Sequence, residues 1–402
     1  MMSKLDELIK QYCPEGIVYK PLWSVTIWDK KFNSVDRIKQ PEVICYPYLL
    51  ASDLFSLQKE NGDVFLLSTG EQTGWTTKEL AGDNLCEGEV VTIPWGKSRA
   101  VTDCIKYYKG KFVTADNRIA TSNNTTVLMN KFLYYWMMSK GKIIDTYYRG
   151  SGIKHPSMKD VLDMQIPLPP VPVQREIVRI LDNFTELSAE LSAELSAELS
   201  ARKKQFEYYR DKLLTFDENV PLLKIGNCCK LLVGGDVPKE RFSKEKTEQY
   251  TVPIYSNGFE DKALYGYTDI EKVKVDSVTI AGRGVGVGYC TLRKAPYYPI
   301  IRLICAIPNT EIITADYLKY VVQCIEFKIP TGGIPQLTSL MVADYKIPVP
   351  PLEEQERIVS ILDRFDALCN DISIGLPAEI EARQKQYEYY RDKLLTFKAV
   401  QS

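Results

Sequence analysis

Apolar residues three or four positions apart form a long stripe through the middle of the chain. This spacing is typical of a helix that packs against another helix along a coiled-coil seam. No glycine or proline interrupts Gln174 to Phe216, so we expect one helix of 43 residues, roughly 64 Å long. The stripe consists of Ile177, Ile180, Phe184, Leu187, Leu191, Leu195, Leu199, Phe206, Tyr209, Leu213 and Phe216.

The centre of this predicted helix is a tetrapeptide repeat, LSAELSAELSAELSA, from Leu187 to Ala201. A leucine every four residues drifts by about 40° per step on a helix of about 3.6 residues per turn, so we expect the seam to be locally unwound there. Alanine, leucine and glutamate are good helix formers, so the repeat is expected to keep the helix continuous.

Much of this segment occurs twice, at a constant offset of 181 residues. ARKKQFEYYRDKLLTF at Ala201–Phe216 and ARQKQYEYYRDKLLTF at Ala382–Phe397 match at 14 of 16 positions. A stripe of this length cannot be buried by one helix alone, so we expect the two copies to pair antiparallel with approximate twofold symmetry. The same offset pairs IPLPP at Ile166 with IPVPP at Ile347, QREIVRILDNF at Gln174 with QERIVSILDRF at Gln355, and Gly152-Ile153 with Gly333-Ile334.

The second copy departs from the first at Gly375 and Pro377, which stand where the first copy has Glu194 and Ser196. Proline is disfavoured inside a helix and common in its first turn. We therefore expect a break there, with Pro377 starting a new helix.

The two non-repeated regions alternate short apolar runs with glycine, asparagine and aspartate clusters. FLL at Phe65 and EVVTI at Glu89 predict strands, KFLYYWMM at Lys131 predicts a helix, and SVTIAGRGVGVGYCTL at Ser277 predicts strand, turn and strand. The expected fold class is α+β or α/β, with two globular domains separated by an antiparallel pair of long repeated helices. The expected boundaries are 1–16 for an N-terminal helical segment, 17–157 and 217–338 for the globular domains, and 158–216 and 339–402 for the repeated helical regions.

Composition restricts the function classes. The chain has 402 residues, enough for two to four domains, and no run of 18 apolar residues that would indicate a transmembrane helix. Ten cysteines without a CxxC pair and a single histidine, His155, disfavour a zinc site and favour buried, reduced thiols in a cytosolic protein. Net charge is −1 overall, but +3 over 17–150 and 220–328, and −3 over 329–402. The globular regions are thus mildly basic, which is compatible with nucleic-acid contact.

Three loops could carry chemistry, and each has a structural alternative. PWGKS at Pro94 is not a P-loop, because Val91 stands where a glycine is required; Lys97, Ser98 and Arg99 form either a plain exposed loop or a contact to phosphate or bases. AGRGVGVG at Ala281 is not a dinucleotide fingerprint, because Val287 replaces the third glycine; it is either a tight turn or a loop whose Arg283 reaches DNA.

The third loop is TYYRGSGIKHPS, which by the repeat offset corresponds to FKIPTGGIPQLT at Phe327. Arg149, Lys154 and His155 could bind phosphate, or the loop could be a latch between domain and helix. IKYYKGKF at Ile105 could line a DNA groove or form a half-buried strand or hairpin. KQFEYYRDKLL and its copy could pack within the helical rod or dock a partner.

Catalytic signatures are missing from the sequence. There is no Asp-Pro-Pro-Tyr or Asn-Pro-Pro-Tyr motif, no glycine-rich adenosylmethionine loop, no convincing nuclease carboxylate cluster and no nucleophile partner for His155. We therefore expect neither a catalytic nor a metal centre.

Two dissimilar regions, two helices introduced by IPxPPxxxQ, the ending YEYYRDKLLTF and the LSAE array together make the chain resemble the specificity subunit of type I restriction-modification systems. The resemblance covers the whole chain and is strongest over 158–216 and 339–397. It implies a cytoplasmic, prokaryotic, non-catalytic subunit with two target recognition domains, each reading one half of a split, asymmetric DNA site. It also implies that the number of LSAE repeats adjusts the separation of the two half-sites.

The implied partners are double-stranded DNA, two methyltransferase (modification) subunits that methylate adenine N6, and restriction subunits that cut DNA. Adenosylmethionine, ATP and magnesium would be bound by those partners, and this chain would hold no cofactor. The implied DNA-binding residues are Lys97, Ser98, Arg99, Arg149, Lys154, Arg283 and Arg293. The implied partner-binding residues are Arg175, Arg179, Tyr208, Arg210, Arg357, Tyr389 and Arg391. The alternatives are a coiled-coil adaptor without DNA and a stand-alone bipartite DNA-binding regulator.

Overall fold

The computed structural model describes residues 3–97, 99–284, 286–329, 336–370 and 376–400. Ser98, the Gly333-Ile334 pair and Gly375, singled out above, lie outside the described residues. The chain forms two compact units. Unit 1 comprises residues 1–193 and 381–402, and unit 2 comprises residues 194–380.

Unit 1 is built on a mixed seven-stranded sheet. In spatial order its main strands are Thr26–Trp28, Asn117–Ser122, Cys86–Pro94, Lys106–Ala115, Val64–Leu67 and Gly74–Thr76, and Tyr48–Leu49 pairs beside Lys106–Ala115. Its short strand pairs are Tyr19–Pro21 with Gln165–Pro167 and Tyr148–Arg149 with His155–Pro156. Its helices are Lys4–Tyr12, Ala51–Ser56, Lys78–Ala81, Asn130–Ser139, Gly141–Thr146 and Met158–Asp163, with short 3₁₀ turns at Leu22–Ser24, Arg37–Lys39, Gly82–Asn84 and Val101–Asp103.

Unit 2 contains smaller sheets than unit 1. Four antiparallel strands lie in the order Cys229–Val233, Ile304–Pro308, Ser277–Ile280 and Cys290–Arg293. A three-stranded sheet orders Leu264–Thr268, Val252–Tyr255 and Tyr298–Pro299, and Leu222–Lys224 pairs with Lys346–Pro348. The helices are Ile225–Cys228, Ala315–Gln323, Ser339–Asp344 and Leu352–Asn370, with a 3₁₀ turn at Glu260–Ala263.

The strands FLL, EVVTI and the strand–turn–strand at Ser277 are confirmed, as is the helix at Lys131. The two units also share a topology that the sequence does not display. The four strands of unit 2 repeat the order and antiparallel pairing of Thr26–Trp28, Asn117–Ser122, Cys86–Pro94 and Lys106–Ala115 in unit 1.

The first long helix runs from Val171 to Leu213. The sequence estimate placed it three residues too late at both ends. Pro172 fits inside the first turn, where its missing N–H removes no intrahelical bond, and the helix ends before Leu214 because the chain there turns towards the next strand. Residues 171–193 belong to unit 1 and residues 194–213 to unit 2.

The second copy forms two helices, Leu352–Asn370 and Leu376–Leu394. Pro377 is the second residue of the latter, so the prediction that it starts a new helix is confirmed. Within the part of the chain that the structure describes, no helix is both long and apolar enough to cross a membrane.

One glutamine in each unit fixes the start of a repeated helix to its sheet domain. Gln174 is fully buried; its Nε2 donates to Val127 O at 2.6 Å and Pro169 O at 2.7 Å, and its Oε1 accepts from Met129 N at 2.9 Å. Because both ends of the carboxamide are satisfied, the side chain joins the proline-rich lead, the helix and the loop before Asn130–Ser139.

Gln355 makes the same three bonds in unit 2. Its Nε2 donates to Ile312 O at 2.9 Å and Pro350 O at 2.8 Å, and its Oε1 accepts from Thr314 N at 2.9 Å. This explains the last position of the IPxPPxxxQ motif: the glutamine is a structural latch rather than an exposed functional group.

Candidate nucleic-acid interface

In unit 1, the PWGKS loop follows the long central strand Cys86–Pro94 and pairs with the glycine-rich loop that closes the domain. Lys97 N donates to Lys154 O at 3.1 Å, and Lys154 N donates to Lys97 O at 3.4 Å. A Cβ on Gly96 would lie 2.6 Å from Ile153 Cγ2, so the small residue permits this close approach. The two motifs singled out separately in the sequence therefore form one loop cluster.

Lys97 itself points inward. Its Nζ forms an ion pair with Asp145, and its side chain is only 10% exposed. The ammonium also lies 5.0 Å from the centre of the Tyr148 ring. Asp145 Oδ1 additionally accepts from Val101 N at 2.9 Å. Lys97 thus anchors the loop, and its charge is already matched by a carboxylate.

The exposed cations of this cluster are different residues. Arg99 pairs with Glu71 at 2.6 Å, with both side chains about two-thirds exposed, across a cleft of about 430 Å³. Arg149 pairs with Asp160 at 3.2 Å and is 75% exposed. Lys154 is exposed, and no ion pair to it exists within the described residues. Such solvent-exposed pairs are weak and open readily to a polyanion.

His155 and Trp95 form an aromatic contact at the same cluster. Their ring centres are 4.1 Å apart, and His155 Nδ1 lies 3.0 Å from Trp95 O. Trp95 is exposed, so the two paired loops that carry Arg99 and Lys154 also carry a flat apolar surface. An exposed aromatic ring flanked by cations is a common feature of nucleic-acid contacts.

The equivalent loop of unit 2 is AGRGVGVG. It follows Ser277–Ile280, the strand that corresponds in topology to Cys86–Pro94, and Arg283 bridges Gln336 as Lys97 bridges Lys154. Arg283 is exposed, and the described part of the chain supplies no ion-pair partner for it. The turn expected from the glycines is present, since Ala281 and Gly288 are hydrogen-bonded across it.

Three loops of unit 2 meet at Asn257. Its Oδ1 accepts from Gly282 N at 3.0 Å, and its Nδ2 donates to Ile301 O. Ile301 and Arg302 have φ of 51° and 58°, a left-handed conformation that β-branched residues rarely adopt. Both side chains are exposed, so this strained turn lies at the surface of unit 2 and not in its core. Sequence reasoning missed Asn257 and the exposed Arg302, because nothing local in YSNG or PIIR signals the bond from Asn257 to Ile301.

Arg293 is held differently from Arg283. Its guanidinium lies 4.1 Å from the centre of the Tyr255 ring, and its Nε is buried without a hydrogen-bond partner in the described structure. A cation stacked on an aromatic ring is partly desolvated and oriented. Arg293 is therefore half-buried, and its guanidinium is positioned by Tyr255.

The aromatic–basic run IKYYKGKF forms the strand Lys106–Ala115 inside the sheet. Tyr108 stacks on Phe65 at 4.4 Å, and Tyr107 donates to Glu89 at 2.8 Å. Lys106 Nζ donates to Ser68 O at 3.0 Å, and burial lowers the pKa of Lys106. This run therefore forms a half-buried strand of the sheet, as the structural alternative predicted.

The residues predicted for partner binding lie on the repeated helices and differ in exposure. Tyr208, Tyr389, Arg175, Arg179 and Arg357 are exposed, whereas Arg210 is half-buried and Arg391 is only 7% exposed. Arg179 pairs with Glu176 at 2.7 Å and Arg357 with Glu354 at 2.6 Å. Arg210 and Arg391 make the same contact in the two copies, to Asp211 and Asp392 respectively, each at 2.8 Å.

Among the described residues there is no group of three or more histidine, cysteine, aspartate or glutamate side chains placed to hold a metal ion. Nine described cysteines are free thiols, of which Cys45 and Cys324 are exposed rather than buried as expected. Although Cys324 as a residue is exposed, its sulfur is partly desolvated and lies 3.7 Å from Asp211 Oδ1; desolvation raises the pKa of Cys324 to about 11, so this thiol is not activated.

The structure is therefore that of a duplicated protein whose two units each carry a loop cluster with glycine and exposed basic residues. A family model described as type I restriction modification DNA specificity domain matches residues 50–201 and 218–382. The chain belongs to this family of type I restriction-modification specificity subunits, whose function is the recognition of DNA sequence.

Individual relatives agree. The chain is 37% identical over 324 residues to a putative type I specificity subunit, S.MpnORF89P, of Mycoplasma pneumoniae, covering 77% of this chain and 94% of the relative. It is 34% identical over 313 residues to the EcoR124I/EcoR124II specificity subunit of Escherichia coli, covering 70% and 74%. A solved structure described as the basis of complex assembly and conformational transition of the type I R-M system shares the fold, with a TM-score of 0.63, 15% identity and coverage of 95% and 98%.

Proposed function

We propose that this chain reads a bipartite, asymmetric site on duplex DNA, with one half-site read by each unit. The observation that carries the proposal is that topologically equivalent loops in the two units present different cations, Arg99 and Lys154 in one and Arg283 in the other. DNA sequence is read by hydrogen bonds from side chains to base edges. Two units that read different half-sites therefore need different side chains at equivalent positions.

We assign direct contact with DNA first to the exposed residues Arg99, Arg149, Lys154 and Arg283. Ser98 is retained as a proposed contact on its sequence position. Arg293 is proposed as a base reader oriented by Tyr255. Lys97 is proposed to hold the loop in place and not to contact DNA itself. If its side chain moved from Asp145 to the DNA, the Asp145 carboxylate would be left unpaired close to the DNA phosphates. The recognition domains are taken as residues 17–157 and 217–338.

The repeated helices are proposed to pair antiparallel, to set the distance between the two readers, and to dock two modification subunits and the restriction subunits. What supports this is the recurrence of exposed residues as well as apolar ones in the two copies, notably Tyr208 and Tyr389. Packing alone would conserve only the apolar stripe. Adenosylmethionine, ATP and magnesium would be bound by those partners, and this chain would supply no catalytic group.

The experiment is co-expression with a modification subunit in a host without adenine methylation, followed by genome-wide mapping of N6-methyladenine. The expected result is one motif of two unlike half-sites with a fixed gap. Arg283→Gln should relax or change only one half-site, and Lys154→Gln only the other. Lys10→Gln, which removes an exposed charge from the N-terminal helix, is the matched control and should leave the motif unchanged.

An unbroken motif, or variants that change both half-sites together, would contradict the proposal. Absence of methylation together with weak, salt-insensitive DNA binding by the isolated chain would indicate an adaptor without DNA instead.

A further inference from the structure

Unit 2 has an open apolar cleft of about 550 Å³ at the end of the first repeated helix. Leu214, Phe216, Val220, Leu222 and Pro348 supply its apolar lining. Leu222 is 62% exposed, and Leu214 and Val220 are only half-buried. An apolar depression of this kind is a common docking site for a partner helix.

Unit 1 contains the same place in the fold. Leu395 stands 181 residues after Leu214 and is its counterpart. Ile17 corresponds to Val220, because the two residues make equivalent backbone hydrogen bonds. Val220 N donates to Asp217 O at 3.4 Å, and Ile17 N donates at 2.9 Å to the O of Lys398, which stands 181 residues after Asp217. The following strands also pair alike, Tyr19 with Pro167 and Leu222 with Pro348. The correspondence therefore rests on backbone hydrogen bonds and not only on sequence.

The equivalent residues in unit 1 are covered. Leu395 is 2% exposed and Ile17 4% exposed. Val178 is buried, whereas its repeat counterpart Val359 is only half-buried. A segment of the chain therefore covers this apolar surface in unit 1, and no corresponding segment is found among the described residues of unit 2.

The cover is the chain's own N-terminal helix, Lys4–Tyr12. Leu5 is buried in the same apolar core as Leu395, and Leu8 and Ile9 pack against that core. These three positions are spaced i, i+3 and i+4, one face of a helix. Ser3 starts the helix with a capping box, and Lys4 Nζ pairs with the buried Glu176 at 3.1 Å. The N-terminal helix is thus an amphipathic plug with a basic residue beside its first apolar anchor.

The charge at the equivalent position is reversed in unit 2. Arg357 stands where unit 1 has Glu176, and it is exposed on the first turns of its helix with Glu354 as its partner. A second copy's N-terminal helix would bring Lys4 against Arg357, a like-charge contact that disfavours it. Because Glu354 pairs with Arg357 and Asp217 and Glu218 also line the cleft, this repulsion is partial and the expected preference is small.

We propose that the unit 2 cleft binds an amphipathic helix of a partner protein that carries apolar residues at i, i+3 and i+4 and an acidic residue immediately before the first of them. The helix would lie on unit 2 as Lys4–Tyr12 lies on unit 1, with its acidic residue facing Arg357. This inference rests on the proposed role of the chain as an assembly subunit, but not on its reading of DNA.

The test uses the full chain and fluorescent peptides of residues 3–13, with Cys13→Ser in all of them to prevent oxidation. One peptide keeps Lys4 and the other carries Lys4→Glu; a Leu8→Asp peptide is the control for the apolar face. Anisotropy titrations are run on the wild-type chain, on Arg357→Glu and on Leu222→Asp. Because Leu222 is largely exposed, its substitution should leave the fold intact.

The wild-type chain should bind the Lys4→Glu peptide about two- to five-fold more tightly than the Lys4 peptide, and Arg357→Glu should reverse that order. Leu222→Asp and the Leu8→Asp peptide should each abolish binding. Equal binding of both charged peptides to both proteins would overturn the proposal, as would a concentration-dependent dimer that Leu222→Asp disperses, which would assign the cleft to a second copy.

Methyladenine mapping separates this result from the proposed function. A chain that directs a bipartite motif but fails the peptide test refutes only the docking site. A chain that shows the expected peptide order but directs no motif refutes only DNA reading.

Discussion

The latch glutamines make the strongest quantitative prediction about the fold. Replacing Gln355 by leucine keeps the volume of the side chain nearly constant but removes its carboxamide. The carbonyls of Ile312 and Pro350 and the N–H of Thr314 then lose their partner in a site with no exposure of the glutamine. Each buried group left unpaired costs about 1–3 kcal/mol. Three such groups sum to about 3–9 kcal/mol, and because partial rearrangement recovers some of this cost, we expect unit 2 to lose about 3 kcal/mol.

The assay is urea unfolding followed by circular dichroism. With a slope of about 1–3 kcal/mol/M, this loss should lower the midpoint of the transition that reports unit 2 by about 1 M or more. All five tryptophans lie in unit 1, so tryptophan fluorescence separates the two latches: Gln174→Leu should shift the fluorescence transition directly.

Gln11→Leu is the matched control, because Gln11 is exposed on the N-terminal helix and its loss should change stability by less than about 0.5 kcal/mol. If Gln355→Leu shifts the midpoint no more than Gln11→Leu does, the latch contributes nothing and the account of the IPxPPxxxQ motif is wrong.

Two further predictions concern buried charges in unit 1. Hydrogen bonds from Arg179 and Lys4 lower the pKa of Glu176 to about 2 from an ordinary value near 4.5, so its ion pairs stabilise the fold above pH 4.5 and are lost as pH falls towards 2. Lys4→Met should flatten this part of a curve of stability against pH. An unchanged curve would show that Lys4 does not contribute to this stabilisation. Lys97→Met should lower the melting temperature, because it leaves Asp145 without its cation. Lys154→Met should leave the melting temperature unchanged, because Lys154 is exposed. Equal melting curves for both variants would contradict the anchoring role of Lys97.

The helices were predictable because their signal is local. Apolar spacing, proline positions and good helix formers lie within the segment itself, so the long helix and the new start at Pro377 follow from neighbouring residues. The ends were less accurate, since where a helix ends depends on what the next segment packs against. The position of the latch glutamine was visible as part of a motif, but its three bonding partners lie up to 47 residues away, and no local pattern identifies them.

The loop clusters show the same limit. Lys97 and Lys154 were both singled out, but their pairing, and the burial of Lys97 against Asp145, depend on contacts between distant segments. Likewise, Asn257 joins Gly282 and Ile301 only after the sheets of unit 2 form. Glycine and basic residues indicated which loops matter, while the burial that separates an anchor from an exposed cation required the fold.

The central claim is that one chain fixes two unlike readers at a distance set by its repeated helix, and the LSAE array allows a direct test. Inserting one further LSAE unit after Glu198, the end of the last complete repeat, should lengthen the helix by about 6 Å, which corresponds to about one or two base pairs at roughly 3.4 Å each. Mapped methyladenine motifs should keep both half-sites and widen only the gap between them. Altered half-sites at an unchanged gap would contradict the account.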